Sequence, residues 1–216
     1  MGWYNEKFLK EIPKTDLHVH LDGSLRLSTL IELAKEQKVE LPSYTEEGLR
    51  ELVFKPSYKN LDEYLQGFNY TCAVMRDIMS IQRISYELAY DCFEEGVRYI
   101  EVRFAPQLLM NDLLDFEDIV KAVDDGLKKA RSEINKLIKD DEPEFDYGII
   151  ICAMRFCNEN FSPYYKQFFK MHKYTSLRDT IKLASLEAAK ATVKLKKNSD
   201  IQVVGFDIAG SEYGYP

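Results

Sequence analysis

The stretch Thr15-Asp16-Leu17-His18-Val19-His20-Leu21-Asp22-Gly23-Ser24 decides how the rest of the chain is read. It is apolar at Leu17, Val19 and Leu21, and it carries two histidines separated by one residue. In a β-strand residues i and i+2 face the same side. The reading is therefore a strand over about Asp16–Leu21, with both imidazoles on one face and Leu17, Val19 and Leu21 packed on the other. Two imidazoles converging from one strand supply half of a transition-metal site suited to zinc, iron or nickel. The alternative is a strand whose histidines only hydrogen-bond locally. The chain has only 3 histidines, and two of them lie in this run, followed by Asp22 and a glycine turn, which favours the metal reading.

Working outward, apolar strand-like runs recur three more times. They are Val97–Pro106, Tyr147–Arg155 and Ile201–Gly210, and the second is a near-continuous apolar run of the kind covered on both faces. Helical periodicity fills the intervals, from about Thr29 to Gln37, Arg76 to Glu95, Phe116 to Leu137 and Ser176 to Leu195. Gly96 is placed to stop the second of these helices. Thr29 with Glu32, and Ser43 with Glu46, have capping-box spacing. Four β-α units in succession call for a parallel sheet with right-handed crossovers. His18, His20, Asp22, Asp207 and Gly210 then fall at or near the carboxyl ends of strands, where such sheets place their active sites.

Other stretches leave two readings open. Leu61, Tyr64, Leu65 and Phe68 repeat at helical spacing and are either core or a hydrophobic flap beside the site. Glu101 and Arg103 share a strand face, as solvated charges or as a buried ion couple. His172, in a basic and aromatic context, reads as a surface residue. No G-x-G-x-x-G follows a strand, which argues against a dinucleotide site.

Composition narrows the class. The chain has 216 residues, 45% hydrophobic and 30% charged, as in an ordinary globular domain. A net charge of −7 argues against sequence-independent binding to nucleic acid or to an anionic membrane. The 4 cysteines form no C-x-x-C pair; Cys92 and Cys152 read as buried and reduced. No run is long and apolar enough for a membrane span, and Met1–Glu6 does not read as a signal peptide, so a cytoplasmic location is expected.

Three blocks taken together resemble the adenosine deaminase family: Thr15–Gly23, Glu101-Val102-Arg103-Phe104-Ala105-Pro106, and Val204-Gly205-Phe206-Asp207-Ile208-Ala209-Gly210-Ser211-Glu212. Met154-Arg155 fits the same pattern, whereas Ser211 stands where aspartate is common. The resemblance implies an α/β parallel (β/α) barrel of TIM type, with residues 1–216 as the N-terminal half and the first four of eight units. It implies hydrolysis of a 6-aminopurine nucleoside, adenosine to inosine, with release of ammonia through zinc-activated water and one zinc ion per complete site. It makes His18 and His20 zinc ligands and Asp22 the partner of the ribose 5′-hydroxyl. Gly210 becomes the glycine approaching purine N3, Leu61, Tyr64 and Leu65 the flap, and Leu108 a pocket wall. The family's third ligand and its acid–base residues correspond to positions beyond Pro216, so no catalytic residue is assigned within the chain. The site would be completed by a second polypeptide or by self-association. Two other readings stand beside this one: a catalytically incomplete binding module, and a different metal-dependent amidohydrolase with an H-x-H strand.

Overall fold

The computed structural model describes residues 4–212; Met1–Trp3 and residues 213–216 lie outside the described part. In chain order the elements are α1 (Glu6–Glu11), β1 (Lys14–His20), α2 (Leu27–Gln37), α3 (Glu46–Leu52), α4 (Leu61–Ala73) and α5 (Ile78–Glu94). They continue with β2 (Val97–Phe104), α6 (Pro106–Leu109), α7 (Phe116–Ile134), β3 (Asp146–Met154), α8 (Pro163–Met171), α9 (Leu177–Asn198) and β4 (Val203–Ala209). The four strands form one parallel sheet in the order β1-β2-β3-β4. The parallel α/β fold expected from the alternating pattern is therefore present.

Local chemistry explains most helix starts. Asn60 and Asp77 accept from backbone N–H groups in the first turns of α4 and α5. Asp115 and Asp118 form a reciprocal capping box at α7. The two capping boxes expected earlier in the chain do not form. Helix α2 begins at Leu27 after Arg26, because the Thr29 hydroxyl is buried and donates instead to Glu87 Oε2 at 2.6 Å. Thr45, not Ser43, caps α3, and the Ser43 hydroxyl accepts from the Thr45 N–H. Helix α8 was not foreseen, although Ser162 as cap and Pro163 in the first turn are a recognised start signal.

The core lies between the sheet and its helices. Ile100, Val102 and Phe104 of β2 and Ile149 and Ile151 of β3 pack with Ile84 of α5 and Ile119 and Val123 of α7. All of Tyr147–Ala153 is buried, as an inner strand covered on both faces should be. Helices α5 and α7 approach closely at Gly126, where an added methyl would overlap the Gln82 carbonyl oxygen and press on Ser85 Cβ. Gly126→Ala is expected to cost about 1–3 kcal/mol through overpacking, read as a lower urea midpoint with an unchanged slope.

Two strand faces differ from expectation. Leu17 does not pack; it is 54% exposed. Asp16 pairs with Ile100 and Val19 with Val102, so Leu17 and His18 together oppose Glu101 in a β-bulge that breaks the alternation. On β4, Phe206 and Ile208 pair with Ile151 and Ala153 on the helix side, yet both are exposed. β1 and β4 are the sheet edges among the described residues. Cys92 and Cys152 are buried and free, as expected. His172 is half-buried as the C-cap of α8, its ring 4.5 Å from that of Phe168, rather than an open surface residue. No described helix is long and apolar enough to cross a membrane.

Candidate active site

The polar side chains gather at the carboxyl ends of the strands. Despite the bulge, the His18 and His20 rings stay together, with centroids 5.4 Å apart. The His18 N–H donates to Asp16 Oδ1 at 3.0 Å, which ties the bulge to its own strand. His20 meets the edge of Phe68 from α4, and Tyr64 stacks edge-on against Phe68 in turn. The stripe on α4 is thus split. Leu61 and Tyr64 are exposed, Leu65 is half-buried, and the Phe68 ring meets His20.

Asp22, just past β1, is 5% exposed. Its Oδ1 has no hydrogen-bond partner among the described residues and lies 3.6 Å from His20 Nδ1. An unmatched buried carboxylate oxygen is costly unless a ligand or water completes it. The neighbourhood is poorly solvated: burial pushes the Cys72 thiol well above its ordinary value, and the Asp22 carboxylate adds to the effect.

Arg103 of β2, only 8% exposed, links the strands across the inner face. Its Nη1 is 2.8 Å from Nδ1 and 2.7 Å from Nε2 of His18, and its Nη2 is 2.9 Å from Asp207 Oδ2 on β4. The alternative of a Glu101–Arg103 ion couple is not realised, since Glu101 accepts instead from the Tyr99 hydroxyl at 3.2 Å. Cys152 lies beneath this pair, and desolvation pushes its thiol up to about 12.

Gly210, at the end of β4, has φ of +109°, a conformation L side chains rarely adopt. Leu108, after β2, packs like Met154 and Ala209 against the buried Ala105, Ile150 and Cys152. Of the residues expected at the site, His18, His20 and Asp22 are adjacent at the end of β1. Gly210 and Leu108 belong to the rim formed by β2, β3 and β4. Arg103, Asp207 and Phe68 complete the contacts around the histidines. Arg103 and Asp207 carried a signal in their strand-end positions, and Phe68 in its helical spacing.

Two imidazoles suit a transition metal. Among the described residues no group of three or more His, Cys, Asp or Glu side chains is arranged to hold a metal ion. The pair therefore fits as two of the three or more protein ligands that a catalytic zinc requires.

Fold and site together define an α/β protein whose polar side chains converge at the carboxyl rim of a parallel sheet. A sequence profile described as adenosine deaminase matches residues 13–216. The chain belongs to the adenosine deaminase family. It is 41% identical over 155 residues to a probable adenosine deaminase of Dictyostelium discoideum, covering 71% of this chain and 19% of that protein. It is 44% identical over 124 residues to the adenosine deaminase of Shewanella pealeana, covering 57% of this chain and 38% of that one. The chain thus spans well under half the length of these curated relatives. In fold it resembles an amidohydrolase of Burkholderia ambifaria with bound zinc, with a TM-score of 0.65 and 18% identity, covering 97% of this chain and 47% of that one.

Proposed function

We propose that residues 1–216 are the N-terminal half of a single (β/α)₈ barrel of TIM type, carrying its first four units, in a cytoplasmic hydrolase. The reaction is adenosine plus water to inosine plus ammonia. The observation that carries this reading is the orphaned, buried Asp22 oxygen beside the His18–His20 pair in a chain of this family. His18 and His20 would hold zinc, which when bound supplies an acidified water at neutral pH.

The chain's own residues orient the nucleoside. The Asp22 carboxylate accepts from the ribose 5′-hydroxyl, which satisfies its unmatched oxygen; a 5′-phosphate there would be repelled. The Gly210 N–H donates to purine N3, an approach that needs a residue without a side chain. Leu61, Tyr64 and Leu65 form the flap and Leu108 a wall of the base pocket. Asp22→Ala is expected to raise KM for adenosine at least tenfold, the scale of a lost hydrogen bond to a charged group. KM for 5′-deoxyadenosine should change little, and steady-state ammonia release on both substrates checks this.

The remaining ligands would belong to the complementary half of the barrel, whichever chain carries it. The exposed Leu17, Phe206 and Ile208 on the two edge strands support such a completion. Intact mass and size-exclusion chromatography on non-denatured material, with ammonia release followed across the fractions, test the reading. Zinc-dependent release should elute with this chain together with its completing half. If every fraction holding the chain is inactive on adenosine with zinc present, the two-imidazole site describes a binding module instead.

A further inference from the structure

We propose that Gln107 is a positioning residue for substrate choice: it ties the loops leaving the carboxyl ends of β2 and β3 into one piece and so fixes Leu108, which rests on the reading of Leu108 as a wall of the base pocket. Gln107 lies on α6 and is 2% exposed, yet every part of its amide is engaged. Its Nε2 donates to the Tyr164 hydroxyl at 3.0 Å and to the Ala184 carbonyl at 2.9 Å. Its Oε1 accepts from the Tyr165 hydroxyl at 3.0 Å, and its backbone carbonyl accepts from the Ser162 hydroxyl at 2.7 Å.

One side chain thus joins α6 to the cap and first turn of α8 and to the interior of α9. The amide has a single orientation, because the Ala184 carbonyl accepts and never donates. Gln107 and Tyr165 are shut off from solvent. A satisfied hydrogen-bond network in such surroundings holds one geometry rather than several.

Leu108 is the next residue, and it is wedged between two buried groups. On the sheet side it packs against Ala105, Ile150 and Cys152, and on the α8 side against the cluster of Cys157, Tyr165, Phe168 and Ala184. Its own N–H donates to the Ala105 carbonyl at 3.0 Å. With that N–H, the preceding carbonyl and the preceding side chain all held, Leu108 shifts only if the Gln107 contacts give way. An apolar wall discriminates by fit, so even a methylene's width of movement changes which bases it admits. Leu108 meets the base; Gln107 acts through Leu108.

The test is kcat and KM of the non-denatured, active material for adenosine, 2-chloroadenosine and N6-methyladenosine, followed by the ultraviolet change on loss of the amino group. Selectivity is kcat/KM for adenosine over that for each enlarged base. Leu108→Ala should lower it about tenfold for at least one analogue, the scale of a methylene in an apolar pocket. Gln107→Met keeps the volume but none of the amide's hydrogen bonds. It should lower selectivity for the same analogue by a similar factor, with KM for adenosine raised and kcat held, as for lost uniform binding. The Gln107→Met/Leu108→Ala double variant should go no further than Leu108→Ala alone, because the two act as one unit. Asp124→Ala, a destabilising change beside Tyr147 at the amino end of β3, should leave selectivity at the parent value. Unchanged selectivity in folded Gln107→Met, or an equal shift in Asp124→Ala, overturns the proposal and leaves the deaminase reading standing. Should Gln107→Met not fold, Tyr165→Phe removes one hydrogen bond to the amide and should shift the same analogue about threefold; no shift there overturns the proposal equally. Selectivity unmoved by Leu108→Ala removes the pocket-wall reading and the proposal with it, whereas a parent inactive on adenosine removes the deaminase reading on which both stand.

Discussion

Replacing His18 and His20 together by alanine is expected to reduce zinc-dependent ammonia release from adenosine about 10³-fold or more. The magnitude follows from the several kcal/mol of transition-state stabilisation that an activating metal supplies. The strand should survive the change. His18 is exposed and His20 half-buried, and the backbone pairing of Val19 with Val102 and of His20 with Arg103 does not use the rings. The double variant should therefore keep the far-ultraviolet spectrum of the parent while losing zinc. Activity that persists at the parent level in a folded, zinc-free variant would sink the deaminase reading of this site. Each single variant should lose less zinc affinity than the double but as much rate, because losing either ligand already opens the metal's coordination.

The largest expected effect on stability comes from Asp124→Ala. Asp124 sits on α7 at 1% exposure, accepts from the Tyr147 hydroxyl at 2.8 Å and pairs with Lys128 at 2.8 Å. Tyr147 is itself buried in β3, and both desolvation and the carboxylate hold its phenol far from ionisation. Removing the carboxylate leaves the buried hydroxyl with only the long contact to the Asp124 carbonyl oxygen at 3.4 Å, and the two-thirds covered ammonium with only the exposed Asp200 at 3.4 Å. The cost should be about 2–4 kcal/mol, from the poorly matched donor and the broken partly buried pair together. Chemical denaturation should show it as a lower midpoint. Tyr147→Phe alone should cost less, and adding Tyr147→Phe to the Asp124→Ala background should recover part of the loss. A loss below about 0.5 kcal/mol for Asp124→Ala would show that water replaces the carboxylate at no cost.

The parallel α/β alternation was legible because each strand is an apolar run closed by a residue with one job. Gly96 precedes β2 at φ of +84° and Pro106 follows it, while Gly210 closes β4. The His18–His20 pair was legible for the same reason, since strand geometry alone brings alternate residues together. What escaped depends on contacts between distant segments. Arg103 read either as a solvated charge or as a partner for Glu101, two residues away on its own strand, but the carboxylate that holds it comes from β4. The bulge at Leu17 and His18 needs the register against β2, which a single strand's pattern does not contain. Asp124 precedes Asp125 in an acidic pair of α7, and only the facing Tyr147 reveals which of the two is buried. Helix starts failed where a hydroxyl had better work elsewhere, as Thr29 does with Glu87.

The strand order has a consequence for how the molecule is made. Every strand after the first pairs with the one synthesised immediately before it. As the chain leaves the ribosome, each arriving strand finds its neighbour already waiting, and no later segment has to be threaded between earlier ones. The slow point is the first pairing, because α2, α3, α4 and α5 all lie between β1 and β2. Until β2 emerges, the strand that carries both histidines has no described strand beside it and remains an open edge for unwanted partners. Nascent chains arrested before Val97 should accordingly be the ones that chaperones hold, and those released after Phe104 the first to bury β1.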